Sequence, residues 1–184
     1  MANAFGTPVY DAMVRHDLVM GLHWGGTSDV PPSAGTGWPS YHVEEYAAEP
    51  QVFMSQLSSL IGEGVFQVFP LRVSVLEAGF TWLPAHAWRL NKDWKAMRRE
   101  VPWVKEPPFD IIREHVRFST APFDADSADE LRVIIDWLGP EDILMFATDY
   151  PRMHDDRFET LLDATPSSMR PKLMAESARE WYQL

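Results

Sequence analysis

Short apolar runs alternate with stretches of helical periodicity along most of the chain. Four runs read as strands: Leu18–Leu22, Leu71–Leu76, Val116–Thr120 and Ile143–Thr148. Leu18–Leu22 and Ile143–Thr148 are mostly apolar, and Leu71–Leu76 is β-branched and apolar apart from Arg72 and Ser74, a pattern that suits strands buried on both faces. Between them lie helices. Pro8–Arg15 starts on a proline and puts Val9, Tyr10, Met13 and Val14 on one side. Tyr41–Ile61 groups Tyr46, Val52, Phe53, Leu57, Leu60 and Ile61 on one face, Pro50 is expected to divide it, and Gly62 and Gly64 end it. Leu83–Arg99 is a helix with a charged, solvent-facing end. Ala128–Leu138 follows the capping residues Asp124, Asp126 and Ser127 and stops at Gly139-Pro140. Arg157–Leu162 and Met169–Tyr182 complete the set. The remainder reads as connection: a long Pro- and Gly-rich loop over 27–40, a short tail over 66–70 and a Pro-rich stretch over 101–110 with Trp103.

Strand and helix thus alternate through four units, which calls for parallel strands joined by right-handed crossovers. In such a sheet all C-terminal strand ends share one rim. Three of the four strands run out into a polar residue there. The first gives His23-Trp24-Gly25-Gly26, the second Glu77-Ala78-Gly79 and the fourth Asp149-Tyr150-Pro151. Each has a plainer reading. Asp149 begins a turn or caps a helix, His23 is a satisfied core histidine, and Glu77 pairs with Arg72 or Arg89. Convergence on one rim is what favours a shared site. His115 precedes a strand and is expected to be structural, and His42 and His86 carry weaker cases.

Composition narrows the chemistry. The 184 residues are 46% hydrophobic, enough for one core. With 27 acidic and 16 basic residues the net charge is −11, which argues against nucleic acid or an anionic membrane as partner. There is no cysteine, so any metal ligands are His, Asp or Glu. No apolar run approaches 18 residues and no leader pattern is visible, so a cytoplasmic protein is expected. The eight Trp and 15 Pro point to an aromatic-lined cleft or large interface and to long ordered loops.

Several stretches together resemble a known family. They are Gly21-Leu22-His23-Trp24-Gly25-Gly26, Phe69-Pro70-Leu71-Arg72-Val73 with Glu77-Ala78-Gly79-Phe80-Thr81-Trp82-Leu83-Pro84, Arg113-Glu114-His115-Val116-Arg117-Phe118, Phe146 to Pro151, and Ala178-Arg179-Glu180-Trp181-Tyr182. In this order they resemble the second half of the amidohydrolase-related proteins, the group of aminocarboxymuconate-semialdehyde decarboxylase and its relatives. The resemblance implies an α/β chain forming the C-terminal half (strands five to eight) of a (β/α)₈ TIM barrel around one divalent metal, usually zinc. It implies His23 and Asp149 as metal ligands, with Asp149 and Glu77 as the catalytic carboxylates. Trp24, Trp82, Tyr150 and His154 are candidates to bind substrate. The chain departs from the family pattern where Arg152, in place of a histidine, follows Asp149-Tyr150-Pro151.

A full barrel needs eight βα units and roughly 250 residues; four units are counted here. The first-strand histidine pair of the family is absent from this sequence. The expectation is therefore one amidohydrolase-related domain half. It needs a second chain, the rest of a longer product or self-association to complete a barrel. The expected activity is hydrolysis or decarboxylation of a small carboxylated or cyclic compound. A non-catalytic subunit or remnant of the same fold is the alternative.

Overall fold

The computed structural model describes residues 6–24, 37–139, 142–151 and 158–184. Four parallel strands form its sheet in the order β1-β2-β3-β4, with β1 at Val19–His23, β2 at Arg72–Leu76, β3 at Val116–Ser119 and β4 at Leu144–Met145. Spatial order equals chain order, as successive βα crossovers of one hand require. The helices are α1 Thr7–Arg15, α2 His42–Gly62, α3 Val65–Val68, α4 Leu83–Met97, α5 Pro108–His115, α6 Ala128–Leu138, α7 Phe158–Ala164 and α8 Ser177–Tyr182, the last preceded by a π-helical turn at Lys172–Glu176. Among the described residues no helix is long and apolar enough to cross a membrane.

Local chemistry explains most boundaries. Ser127 and Glu130 form a reciprocal capping box at the start of α6, and Leu131, Ile135 and Leu138 give it a buried stripe. Gly64 adopts φ 71° after α2, and a Cβ there would lie 2.4 Å from the Trp103 ring, so only glycine fits the turn without displacement. Three expectations are corrected. Pro50 does not divide α2, which runs unbroken for 21 residues. A proline removes one helical hydrogen bond, and burial of Phe53, Leu57, Leu60 and Ile61 beyond it holds the rest. The tail after Gly64 is a one-turn helix, α3, fastened by buried Val65 and Phe66. Residues 108–115 form a helix rather than connection. Pro108 occupies the first turn, Phe109, Ile111 and Ile112 are buried, and the chain passes straight into β3.

The sheet has two unlike faces. In register, Met20, Val73 and Val116 lie at one level and Val75, Phe118 and Leu144 at another. These apolar side chains, all buried, form the core with Leu57, Phe80, Leu83, Ile112 and Leu131. The alternate positions, Gly21, Ser74 and Arg117, also share one level. That second face is polar, yet Ser74 and Arg117 are buried. The C-terminal helix covers them. The Trp181 indole N–H and the Tyr182 hydroxyl both donate to Ser74 Oγ, at 3.1 and 2.7 Å. Arg117 lies 4.3 Å above the Trp181 ring and ion-pairs with Asp142, while Arg72 donates to the Trp181 carbonyl. The polar face is thus partly closed by the chain's own α8, although Gly21 and His23 on β1 stay exposed.

Candidate active site at the strand ends

β1 ends at His23, opposite Leu76 on β2, and Glu77 is the next residue of that strand's chain. Neighbouring parallel strands therefore deliver an imidazole and a carboxylate side by side. His23 Nε2 stands 2.9 Å from Glu77 Oε1, with the two side chains 44% and 24% exposed. The alternative partners for Glu77 are taken elsewhere, since Arg72 pairs with Asp17 and Arg89 with Asp93. Asp149 lies four residues beyond the end of β4 and is half-buried.

Glu77 and Asp149 share an unusual backbone. Both are non-glycine residues in the left-handed region, at φ 56° and 54°. For an L-residue this conformation costs roughly 1 kcal/mol. Each chain thus turns sharply at the strand end and holds its carboxylate there. The same turn at Glu77 is tied down on two sides. Its backbone N–H donates to Ser119 Oγ at 3.0 Å. Thr81 Oγ1 donates to Asp124 Oδ2 at 2.8 Å, and a Cβ on Gly79 would meet that same carboxylate oxygen. On the β4 side, Thr120 Oγ1 accepts from the Ala147 N–H at 3.0 Å and returns a bond to its carbonyl. Ser119 and Thr120 are the positioning residues that sequence reasoning missed. The available signal was a pair of hydroxyls, Ser119 and Thr120, at the C-terminal end of the strand.

The remaining candidates divide. Trp24 is half-buried and packs against the core. Trp82 donates its indole N–H to the Ala78 carbonyl and sets its ring edge against Phe118 and His86, contacts that belong to packing between α4 and the sheet. Tyr150 is 88% exposed beside Asp149. His154 and Arg152 lie outside the described residues. His115 is structural as expected, with Nδ1 2.9 Å from the Leu71 carbonyl and its ring stacked on Phe66. His86 lies apart from the rim between α2 and α4. Its Nε2 is 3.2 Å from Ser58 Oγ, and burial pulls its pKa below the ordinary 6.5, against a backbone hydrogen bond at Met54 that raises it.

His23, Glu77 and Asp149 present an imidazole and two carboxylates without a thiol, a donor set suited to zinc, manganese or iron. Such an ion takes about three protein ligands at a catalytic site. Among the described residues no three His, Asp or Glu side chains stand together in that way. β1 and β4 are separated by two strands, about 14 Å along a flat sheet at the usual spacing. The donor chemistry fits a divalent ion, but the described residues do not form a complete cage.

A protein-family profile described as Amidohydrolase matches residues 2–184. No curated protein matches. Among solved structures, an amidohydrolase from Mycobacterium avium subsp. paratuberculosis superposes with a TM-score of 0.78 at 18% identity, covering 99% of this chain and 46% of its own. A dihydroxybenzoic acid decarboxylase from Polaromonas, with bound manganese and the inhibitor 2-nitroresorcinol, superposes at 0.70 and 20% identity, covering 99% and 55%. The 2,6-dihydroxybenzoate decarboxylase from Rhizobium gives 0.71 at 19% identity, covering 96% and 54%. This chain therefore spans about half the length of the structures it resembles. At these identities the likeness is one of fold.

Proposed function

The chain belongs to the amidohydrolase family, and we propose that it supplies the C-terminal half of a (β/α)₈ barrel in a metal-dependent enzyme acting on a small carboxylated cyclic compound. The observation that carries this reading is the rim. An imidazole and two carboxylates leave parallel strands at their C-terminal ends, and both carboxylates are held at positive φ. Asp17 and Gln183 share that backbone region elsewhere, so what supports the reading is the placement of these carboxylates at the C-terminal ends of parallel strands.

In this reading His23 and Asp149 hold the metal, together with ligands contributed by the other half of the barrel. A divalent ion there supplies Lewis-acid polarisation and a more acidic bound water. Glu77 orients the His23 imidazole through its Oε1 contact, and Glu77 and Asp149 are the groups able to take or return a proton at the reacting carbon or water. Ser119 fixes the Glu77 backbone so that its carboxylate does not swing away from the rim. Tyr150, Trp24 and His154 are the side chains proposed to meet substrate. Decarboxylation is preferred over hydrolysis. The similarity to two dihydroxybenzoate decarboxylases supports it, as does the resemblance of the chain's motifs to the aminocarboxymuconate-semialdehyde branch.

A second reading, a fold retained after loss of the site, is favoured by the lack of a three-donor cluster among the described residues. Release of CO₂ from a panel of hydroxylated benzoates and related cyclic acids, with manganese or zinc added, separates the two. The assay uses the chain with whatever polypeptide completes its barrel. Turnover that falls at least about a hundredfold in Glu77→Gln supports the enzyme. Absence of both CO₂ release and hydrolysis from a metal-loaded, completed barrel supports the remnant.

A further inference from the structure

The outer helical layer carries a surface unrelated to the rim. Trp88 on α4 and Trp137 on α6 lie with ring centroids 5.1 Å apart, yet they are 47% and 45% exposed, and Val133 beside them is 46% exposed. Large exposed aromatics in contact are the usual centre of a protein interface. Arg89, Asp129, Arg132 and Asp136 also flank them, Arg89 paired with Asp93 and Arg132 with Asp129, but along one stripe of each helix the charges are ordered. On α4, Lys92 and Lys95 fall four and seven residues after Trp88, on the same stripe of the helix. On α6, Val133 and Glu130 fall four and seven residues before Trp137, again on one stripe. Each of these helices follows a parallel strand, α4 after β2 and α6 after β3, so the two run in the same direction. The face is therefore acidic at one end, aromatic in the middle and basic at the other. Its two charged arms are of equal length, about 10 Å at the helical rise.

We propose that this face binds a second copy of the chain about a two-fold axis through the tryptophan pair. Rotation about that axis sets Lys95 of each copy against Glu130 of the other and lays the Lys92 stem over Val133, with four indoles at the centre. Only an isologous contact makes equal and opposite arms self-complementary. A net charge of −11 opposes indiscriminate self-association, so a contact here depends on its own charge complementarity. The sheet edges that a barrel-closing partner would use lie on different elements, so the two associations are separable.

Sedimentation equilibrium of the full chain over a concentration series tests this. The expected result is a dimer that becomes monomeric in Trp137→Asp with unchanged far-UV circular dichroism. Lys95→Glu and Glu130→Lys should each weaken the dimer by roughly tenfold, and the double variant should restore it. Glu130→Gln, which keeps an oxygen for the helix cap, should weaken it without loss of thermal stability. A chain that is monomeric throughout, a dimer that survives Trp137→Asp, or a charge swap without recovery would each overturn the proposal.

Discussion

His23 Nε2 lies 2.9 Å from Glu77 Oε1, and Glu77 itself sits at φ 56°. The contact joins the ends of two neighbouring strands, and the backbone that makes it possible is one an L-residue adopts at a cost. Asp17 and Gln183 adopt the same backbone region away from the rim, so the position of Glu77 at a strand end beside His23 is what marks it out. Glu77→Gly relieves the left-handed strain while removing a largely buried side chain and its contact with His23. Urea unfolding should show stability unchanged or raised by up to about 1 kcal/mol, with turnover lost. A fall well beyond about 1 kcal/mol would mark Glu77 as a structural residue.

The polar face of the sheet gives a second prediction. Ser74 accepts from both Trp181 and Tyr182, and it is fully buried. Ser74→Ala leaves a buried indole N–H without that acceptor, at a cost of about 1–3 kcal/mol. The loss should be visible in chemical denaturation. Because the same contacts fasten α8 over the sheet, amide exchange in residues 177–182 should accelerate in the variant. Exchange that stays slow there would show that α8 is held by other contacts.

His86 gives a pH dependence away from the rim. Desolvation lowers its pKa in the folded state, only partly offset by a backbone hydrogen bond. Below about pH 6.5 the unfolded chain takes up a proton that the folded chain resists, so the unfolded state binds more protons and stability falls as pH falls. The contribution is intact above pH 6.5 and declines from there toward the lowered folded pKa. His86→Gln should flatten that segment of the stability profile, as read from melting temperatures between pH 7.5 and 5. A profile identical to wild type would assign the decline to other groups.

Much of this architecture was legible in the chain. The four strands stand close to their expected places, although β4 keeps only Leu144–Met145 of the expected Ile143–Thr148. Ser127, one of the three expected capping residues, does start α6, and His23 and Glu77, expected at neighbouring strand ends, do stand side by side. What was not legible depended on tertiary context. The α5 helix was hidden by its prolines, although Pro107 and Pro108 sit where a helix starts. Pro50 sent the opposite false signal, because burial further along α2 outweighed one lost hydrogen bond. The partner of Glu77 was sought among arginines, but strand register supplied His23 instead. The cover that α8 provides for Ser74 and Arg117 joins residues more than a hundred positions apart. No local pattern encodes it.

In the proposed function the rim binds a catalytic metal through His23 and Asp149. Inductively coupled plasma mass spectrometry of the purified chain, alone and with any co-purifying polypeptide, tests it most directly. The expected content is about one zinc, manganese or iron per completed barrel. His23→Ala and Asp149→Ala should each abolish the metal without disturbing assembly. Metal content that stays stoichiometric in Asp149→Ala, or no such metal in the assembled wild-type protein, would contradict it.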